Sequence, residues 1–300
     1  MSLRLAALNL GLRLIVKPQL GRLTDPVLAR AGMEAASQAW LDAPPRVVPV
    51  WRTLGGVAAL SARNARGVPG DAAVLFLHGG AYATGSPTTH WPLYARLARL
   101  SGIEHLAPDY RLAPEHPFPA ALEDAEAAWH GLLARGIEPG RIVLAGDSAG
   151  GGLALALLAR LCAAGTAPAG LVAFSPWTDL TGASASLVEN AARDPMLPSG
   201  QMQRAVDLYL QGAAPDDPGA SPLQAAFPGC PPVHLQHSET EILRDDTLRM
   251  ADRLRCFGAE VTVQSWPDPP HVWHMFYGWV PEARAAIEDA AAAIRRMLSC

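Results

Sequence analysis

Residues 146–150 read Gly-Asp-Ser-Ala-Gly, a G-x-S-x-G pattern centred on Ser148. A serine hydroxyl is a weak nucleophile at neutral pH and needs an adjacent base. The pattern is short, and its weight comes from context. A strand-like apolar run at 141–145 leads in, and a Leu/Ala-rich helical run at 151–162 leads out. That is the strand–turn–helix in which such a serine is a nucleophile. Tiny flanking residues let the strand and helix backbones close around a tight turn. The turn lifts the serine to the carboxyl end of a sheet, where α/β folds place their sites. Without partners, the same residues would be a glycine-rich packing turn.

A second segment supplies a partner. His78-Gly79-Gly80-Ala81-Tyr82 follows the apolar run 72–77. Attack on an ester carbonyl creates an oxyanion, which backbone N–H groups must meet. The amides of Gly79, Gly80 and Ala149 are the expected donors. His78, at the head of this loop, is expected to brace it.

The base must come from nine histidines. His90, His105, His116 and His130 precede the turn, and His234 and His237 fall on a strand. His271 and His274 lie after the last strand-like run, where the chain order serine, acid, histidine would deliver a base. An acid must orient that imidazole. Near the end of the preceding strand, Glu239, Glu241, Asp245 and Asp246 all qualify. Asp147 sits in the turn itself and is expected to bond the turn rather than the imidazole.

These residues need a scaffold that brings distant loops together. Residues 1–40 read as helices broken near Pro18 and around 24–26. Strands are expected at 46–54 and 57–62, joined through Gly55-Gly56. Further strands are expected at 72–77, 103–107, 141–145, 170–174, 233–236 and 261–264, and helices at 120–135, 151–162, 245–257 and 281–298. Alternation of this kind predicts an α/β fold with a mostly parallel sheet covered on both faces. The segment from about Thr181 to Gln211 breaks the rhythm and is expected to sit above the sheet.

With these motifs in hand, the sequence resembles the hormone-sensitive-lipase family of esterases along nearly its whole length. The resemblance rests on His78–Tyr82, the run Asp109-Tyr110-Arg111-Leu112-Ala113-Pro114-Glu115, Gly146–Gly151, Ser175-Pro176-Trp177 and His271-Val272-Trp273. It implies an eight-stranded α/β-hydrolase sheet with a small helical cap. The cap would comprise residues 1–45 and an insertion at about 180–215, with the catalytic domain spanning 46–300. It implies His271 as base. It also implies Glu241 as acid, in Glu241-Ile242-Leu243-Arg244-Asp245, where most members carry Asp-Pro-Leu-x-Asp. Asp245 orienting the histidine is the alternative. The third position of the oxyanion motif departs from the commonest family pattern, with Ala81 for glycine, and an alanine there is expected at negative φ. The implied activity is serine-dependent hydrolysis of short- to medium-chain carboxylic esters. A non-catalytic small-molecule receptor on the same scaffold, or an amide or lactone hydrolase, are the other readings. Many members pair through the last strand, so a homodimer is an expectation by analogy.

Composition fits an enzyme of this kind. Half the residues are hydrophobic and 17% are charged, which supports a large core. The net charge of −4 gives no reason to expect nucleic acid as a partner. The four cysteines, Cys162, Cys230, Cys256 and Cys300, show no metal-ligand spacing and are expected as free thiols in the cytoplasm. No cofactor is called for. No run of about eighteen apolar residues suggests a membrane span, and Arg4, Arg13 and Lys17 interrupt any signal-peptide core. Leu3, Ala6, Ala7, Leu10 and Leu14 recur at helical spacing, and that stripe is expected to cover a pocket or core rather than lie on a membrane.

Overall fold

Short, wholly apolar runs build the centre of the sheet. In the computed structural model, which describes residues 1–22, 24–41, 44–64 and 70–299, β3 (Ala73–Leu77), β5 (Ile142–Asp147) and β6 (Gly170–Phe174) are buried at every position. Strands covered on both faces require this. Along β3, Ala73, Leu75 and Leu77 enter one core, and Val74 and Phe76 enter the other. The first core is closed by α5 (Ala120–Ala134), α6 (Ser148–Ala163) and α9 (Arg244–Cys256), the second by α4 (Trp91–Ser101) and α10 (Pro281–Ser299).

The remaining strands are β1 (Val47–Leu54), β2 (Val57–Asn64), β4 (Glu104–Pro108), β7 (Val233–Ser238) and β8 (Val261–Trp266). The eight strands lie in the order β1-β2-β4-β3-β5-β6-β7-β8. Only β1–β2 and β2–β4 pair antiparallel, so the mostly parallel α/β-hydrolase sheet is as expected. The β1–β2 turn is Gly55-Gly56 with φ of +56° and +90°, the two positive values that a tight hairpin demands. A side chain at Gly55 would also strike the Ala127 carbonyl.

Several boundaries differ from the sequence reading. Helix α6 begins at Ser148 itself, three residues earlier than expected. Strands β7 and β8 each run two residues longer. Helix α4 was not read from the sequence, although Leu93, Tyr94, Leu97 and Ala98 carry a helical apolar face and are buried.

The N-terminal helices differ in two instructive ways. No break occurs at Pro18. α1 (Leu3–Gly11) passes through a π-helical stretch, Leu12–Val16, into α2 (Lys17–Arg22). The wider turn carries an extra residue, so the carbonyl four residues back no longer sits under the proline ring. The break at 24–26 is present. Asp25 caps α3 (Pro26–Trp40) by accepting the Val27 N–H at 2.8 Å.

The second difference is which face of α1 is covered. Leu5, Leu8 and Leu12 pack on Trp273, Val280, Ala283 and Ala286, each worth about 1.5–3 kcal/mol. The stripe expected to be covered points outward, with Leu3 91%, Leu10 58% and Leu14 66% exposed. Polar bonds set the rotation. Ser2 donates its amide and hydroxyl to Glu282 at 2.6 and 2.8 Å, and Asn9 donates to the Asp268 carbonyl.

Between β6 and β7 lie α7 (Ser186–Glu189) and α8 (Met202–Leu210) with no strand. Arg13 donates to the Ala192 and Arg193 carbonyls, Lys17 to those of Ala191 and Asp194, Gln201 to Gly21 and Arg204 to Thr24. The N-terminal segment and this insertion are thus bonded to one another. Among the described residues, no helix is long and apolar enough to cross a membrane. Cys162, Cys230 and Cys256 are free thiols; Cys300 lies outside the described residues.

Candidate active site

Parallel pairing brings the two glycine-rich loops together. Leu77 at the end of β3 pairs with Gly146 near the end of β5, so the loops that follow emerge side by side at the carboxyl edge. Ser148 takes φ +53° as the chain turns from strand to helix. A Cβ at Gly146 would lie 2.4 Å from the Gly150 carbonyl oxygen, and one at Gly150 2.2 Å from that of His78. The turn therefore accepts only glycine at both places.

Ser148 Oγ lies 2.8 Å from His271 Nε2, and His271 Nδ1 lies 2.6 Å from Glu241 Oε2. Glu241 is fully buried, and its Oε1 accepts the Ser238 N–H at 2.9 Å. Burial opposes a charge on His271, but the Glu241 hydrogen bond and charge outweigh it, helped by Asp194 and Asp147. The imidazole pKa is held above its usual value.

The other carboxylates are engaged elsewhere. Asp245 Oδ2 accepts the Ser186 N–H and its Oδ1 faces Arg244. Asp246 accepts the N–H groups of Thr178 and Asp179 and the Ser184 hydroxyl; burial pushes it up to about 7. Glu239 accepts the Ser265 hydroxyl. His274 is bonded to Gln236 at 2.7 Å and sits against Phe174 and Trp273. Burial drives its pKa well below the usual value, so it stays neutral.

The loop expected to form the oxyanion hole departs from the sequence reading at one residue. The Gly79 N–H donates to Asp147 Oδ1 at 3.1 Å, and is not free for a substrate. Asp147 Oδ2 also contacts His90 Nε2 at 3.3 Å. The Gly80 and Ala81 amides have no acceptor among the described residues, and Ala149 lies in the first turn of α6, where amides are unsatisfied by the helix. His78 is buried and neutral; burial lowers its pKa to about 3. It braces the loop by donating from Nδ1 to the Gly79 carbonyl at 2.8 Å, and Tyr110 stacks on it and donates to its carbonyl.

Ala81 sits at φ +53°, not at the negative φ expected. An L-residue in this region costs roughly 1–2 kcal/mol. Ala81→Gly is therefore expected to raise stability by up to about 1 kcal/mol, part of the relief being offset by a more flexible unfolded chain. A urea midpoint that falls in the variant, at unchanged m-value, would contradict this.

Sequence reasoning missed two side chains that hold the loop carrying Glu241. Asn190 Nδ2 donates to the Glu239 and Glu241 carbonyls, and buried Asp194 accepts the Ile242 N–H at 3.0 Å. These bonds span about fifty residues of chain, and no local pattern signals them. Arg30 of α3 is a third. It donates to the Ala83 and Ala113 carbonyls and pairs with Glu115 through both terminal nitrogens. This accounts for part of the 109–115 run, with Arg111 on Asp124 accounting for more.

Residues 74–275 match a family described as having an alpha/beta hydrolase fold. An acetyl-hydrolase of Streptomyces hygroscopicus is 45% identical over 223 residues, covering 74% of this chain and 75% of that protein. The crystal structure of an esterase from the bacterial hormone-sensitive lipase family superposes with a TM-score of 0.93 at 34% identity, over 99% of each chain. EstE5, in a crystal soaked with p-nitrophenyl butyrate, superposes with a TM-score of 0.94 at 36% identity over the full length of both. With its fold matching over the full length and its sequence over about three quarters of it, the chain belongs to the hormone-sensitive-lipase family of α/β-hydrolase esterases.

Proposed function

We propose that the protein is a serine carboxylesterase that hydrolyses short- to medium-chain carboxylic esters through an acyl-enzyme. The observation that carries this reading is the unbroken hydrogen-bonded series Ser148–His271–Glu241 beside the Gly80 and Ala81 amides, which have no acceptor among the described residues. His271 Nε2 takes the Ser148 proton as Oγ bonds to the ester carbonyl carbon. The carbonyl oxygen becomes an oxyanion, met by the amides of Gly80, Ala81 and Ala149. The protonated imidazole, oriented by Glu241, gives its proton to the departing alcohol. Water then enters, loses a proton to His271 and attacks the acyl carbon. Collapse of the second intermediate releases the acid and returns the proton to Ser148. Gly79 serves as a structural link to Asp147, and residues 1–45 with about 180–215 act as a cap.

The short acyl preference draws support from the aromatic cluster beside the turn. Tyr82 directly follows the oxyanion loop and stacks on Tyr209 at 3.8 Å. Trp177, whose N–H bonds the Ser148 carbonyl, lies 6.2 Å from the Tyr82 ring. The resemblance to an acetyl-hydrolase points the same way. Across a p-nitrophenyl ester series, kcat/KM is expected to be highest for acyl chains of about two to eight carbons, the range a closed pocket holds. Fast hydrolysis of emulsified triolein with little activity on the butyrate ester would overturn this preference. No turnover of any ester in the series would overturn the esterase reading itself.

A further inference from the structure

We propose that the outer face of the N-terminal helix docks on an anionic lipid surface and holds the enzyme at it peripherally. Helix α1 has two apolar stripes, and only one is used inside the molecule. Leu5, Leu8 and Leu12 are buried, whereas Leu3, Leu10 and Leu14 lie along the opposite side, 58–91% exposed. Leu3 and Leu10, seven residues apart, share one line of α1, and Leu14, in the π-helical stretch that follows, is exposed like them. Ile15, 58% exposed, widens the stripe. Seven of the twelve large exposed apolar side chains among the described residues fall within the first 28 positions. Single exposed leucines are ordinary, but a contiguous line of them marks a surface that something covers.

Charge identifies the occupant. Residues 1–24 carry Arg4, Arg13, Lys17 and Arg22 and no acidic residue, although the whole chain is net negative. An apolar stripe flanked by cations on one helix is the pattern of an element lying in the headgroup region of a bilayer. Arg13 and Lys17 donate to carbonyls of the insertion; their charges still act on a lipid surface that lies within a Debye length, about 8–10 Å. Arg4 donates to the Trp279 carbonyl, and Trp279 is 46% exposed. Tryptophan is favoured at the same depth of the interface. The face suits an acidic membrane better than a second copy of this chain, since pairing two such faces would bring like charges together.

The test is co-sedimentation of the full chain with vesicles of phosphatidylcholine, with and without phosphatidylglycerol. Binding is expected to the anionic vesicles only, and to weaken as salt is raised. The double variant Leu10→Asp/Leu14→Asp is expected to bind at least about tenfold more weakly, having lost apolar contact and gained like charge. Its far-UV circular dichroism should match that of the wild-type chain, because both leucines are exposed. Failure of the wild-type chain to sediment with anionic vesicles, or equal binding by the variant, overturns the proposal. So does a wild-type dimer, seen by light scattering, that the variant converts to a monomer while vesicle binding is absent. Should the variant not fold, the lipid and salt dependence of the wild-type chain decides alone. Vesicle binding is read without turnover, so its failure leaves the esterase reading intact.

Discussion

Ser148→Ala is expected to reduce kcat by about 10⁶-fold, by analogy with removal of the nucleophile in subtilisin, where the rest of the site retains a small residual rate. The fold should survive. Alanine has no larger side chain than serine, and the φ of +53° at this position is a strain that both residues bear. Among the described residues, the only side-chain bond lost is the one to His271. Unfolding midpoints of the two proteins should agree within about 1 kcal/mol, the usual range for losing one hydrogen bond. A phosphonate or sulfonyl fluoride should add once to the wild-type protein, at Ser148, and not at all to the variant. Ser175 is the instructive control. It too has positive φ, but it is fully buried and its Oγ is the acceptor for the Val272 N–H. An adduct on any other serine, or full activity in the alanine variant, removes the proposed mechanism.

Glu241→Gln is expected to lower kcat by about 10⁴-fold, the loss seen when a serine protease has its orienting carboxylate neutralised. The amide keeps the shape but removes the charge that stabilises the imidazolium. It also allows its NH₂ group to face Nδ1, which favours the wrong tautomer. The pH profile separates this from a structural defect. The base must be neutral to accept the serine proton, so kcat/KM falls as pH drops through the His271 pKa. In the wild-type chain that acid limb should lie above the ordinary histidine value of about 6.5. Without the carboxylate, burial dominates, and the limb should move to lower pH. Asp245→Asn provides the contrast. Asp245 binds the Ser186 N–H and Arg244 at the start of α9, so its loss should cost about 1 kcal/mol of stability and leave kcat within a few-fold. If the two variants exchange these effects, Asp245 is the acid.

Much of this molecule was legible because its signals are local. The hairpin at Gly55-Gly56, the buried runs of β3, β5 and β6, and the strand–turn–helix around Ser148 each depend on residues close in sequence. Their φ values, side-chain sizes and apolar periods are dictated by neighbours. The expectation that Asp147 bonds its own turn holds only in leaving the imidazole to Glu241: its carboxylate accepts the Gly79 N–H of the neighbouring loop and faces His90.

What local reasoning could not decide was decided by contacts across the fold. The Gly79 amide is taken by a carboxylate 68 residues away, so the free amides fall one residue later than the sequence suggests. Four carboxylates follow β7, and sequence distance does not rank them. The bonds of Asn190 and Asp194 to that loop, with the Ser238 N–H on Glu241 Oε1, hold Glu241 against His271. Helix α1 could bury either of two leucine stripes, and the intrinsic pattern favours neither. The choice lies in Trp273, Val280 and the Ser2–Glu282 bonds at the far end of the chain. Sequence pattern determines which elements form, because backbone preference and side-chain period act within a few residues. Tertiary structure determines which polar atoms are satisfied and which apolar face is left over, because burial is settled only when remote elements meet.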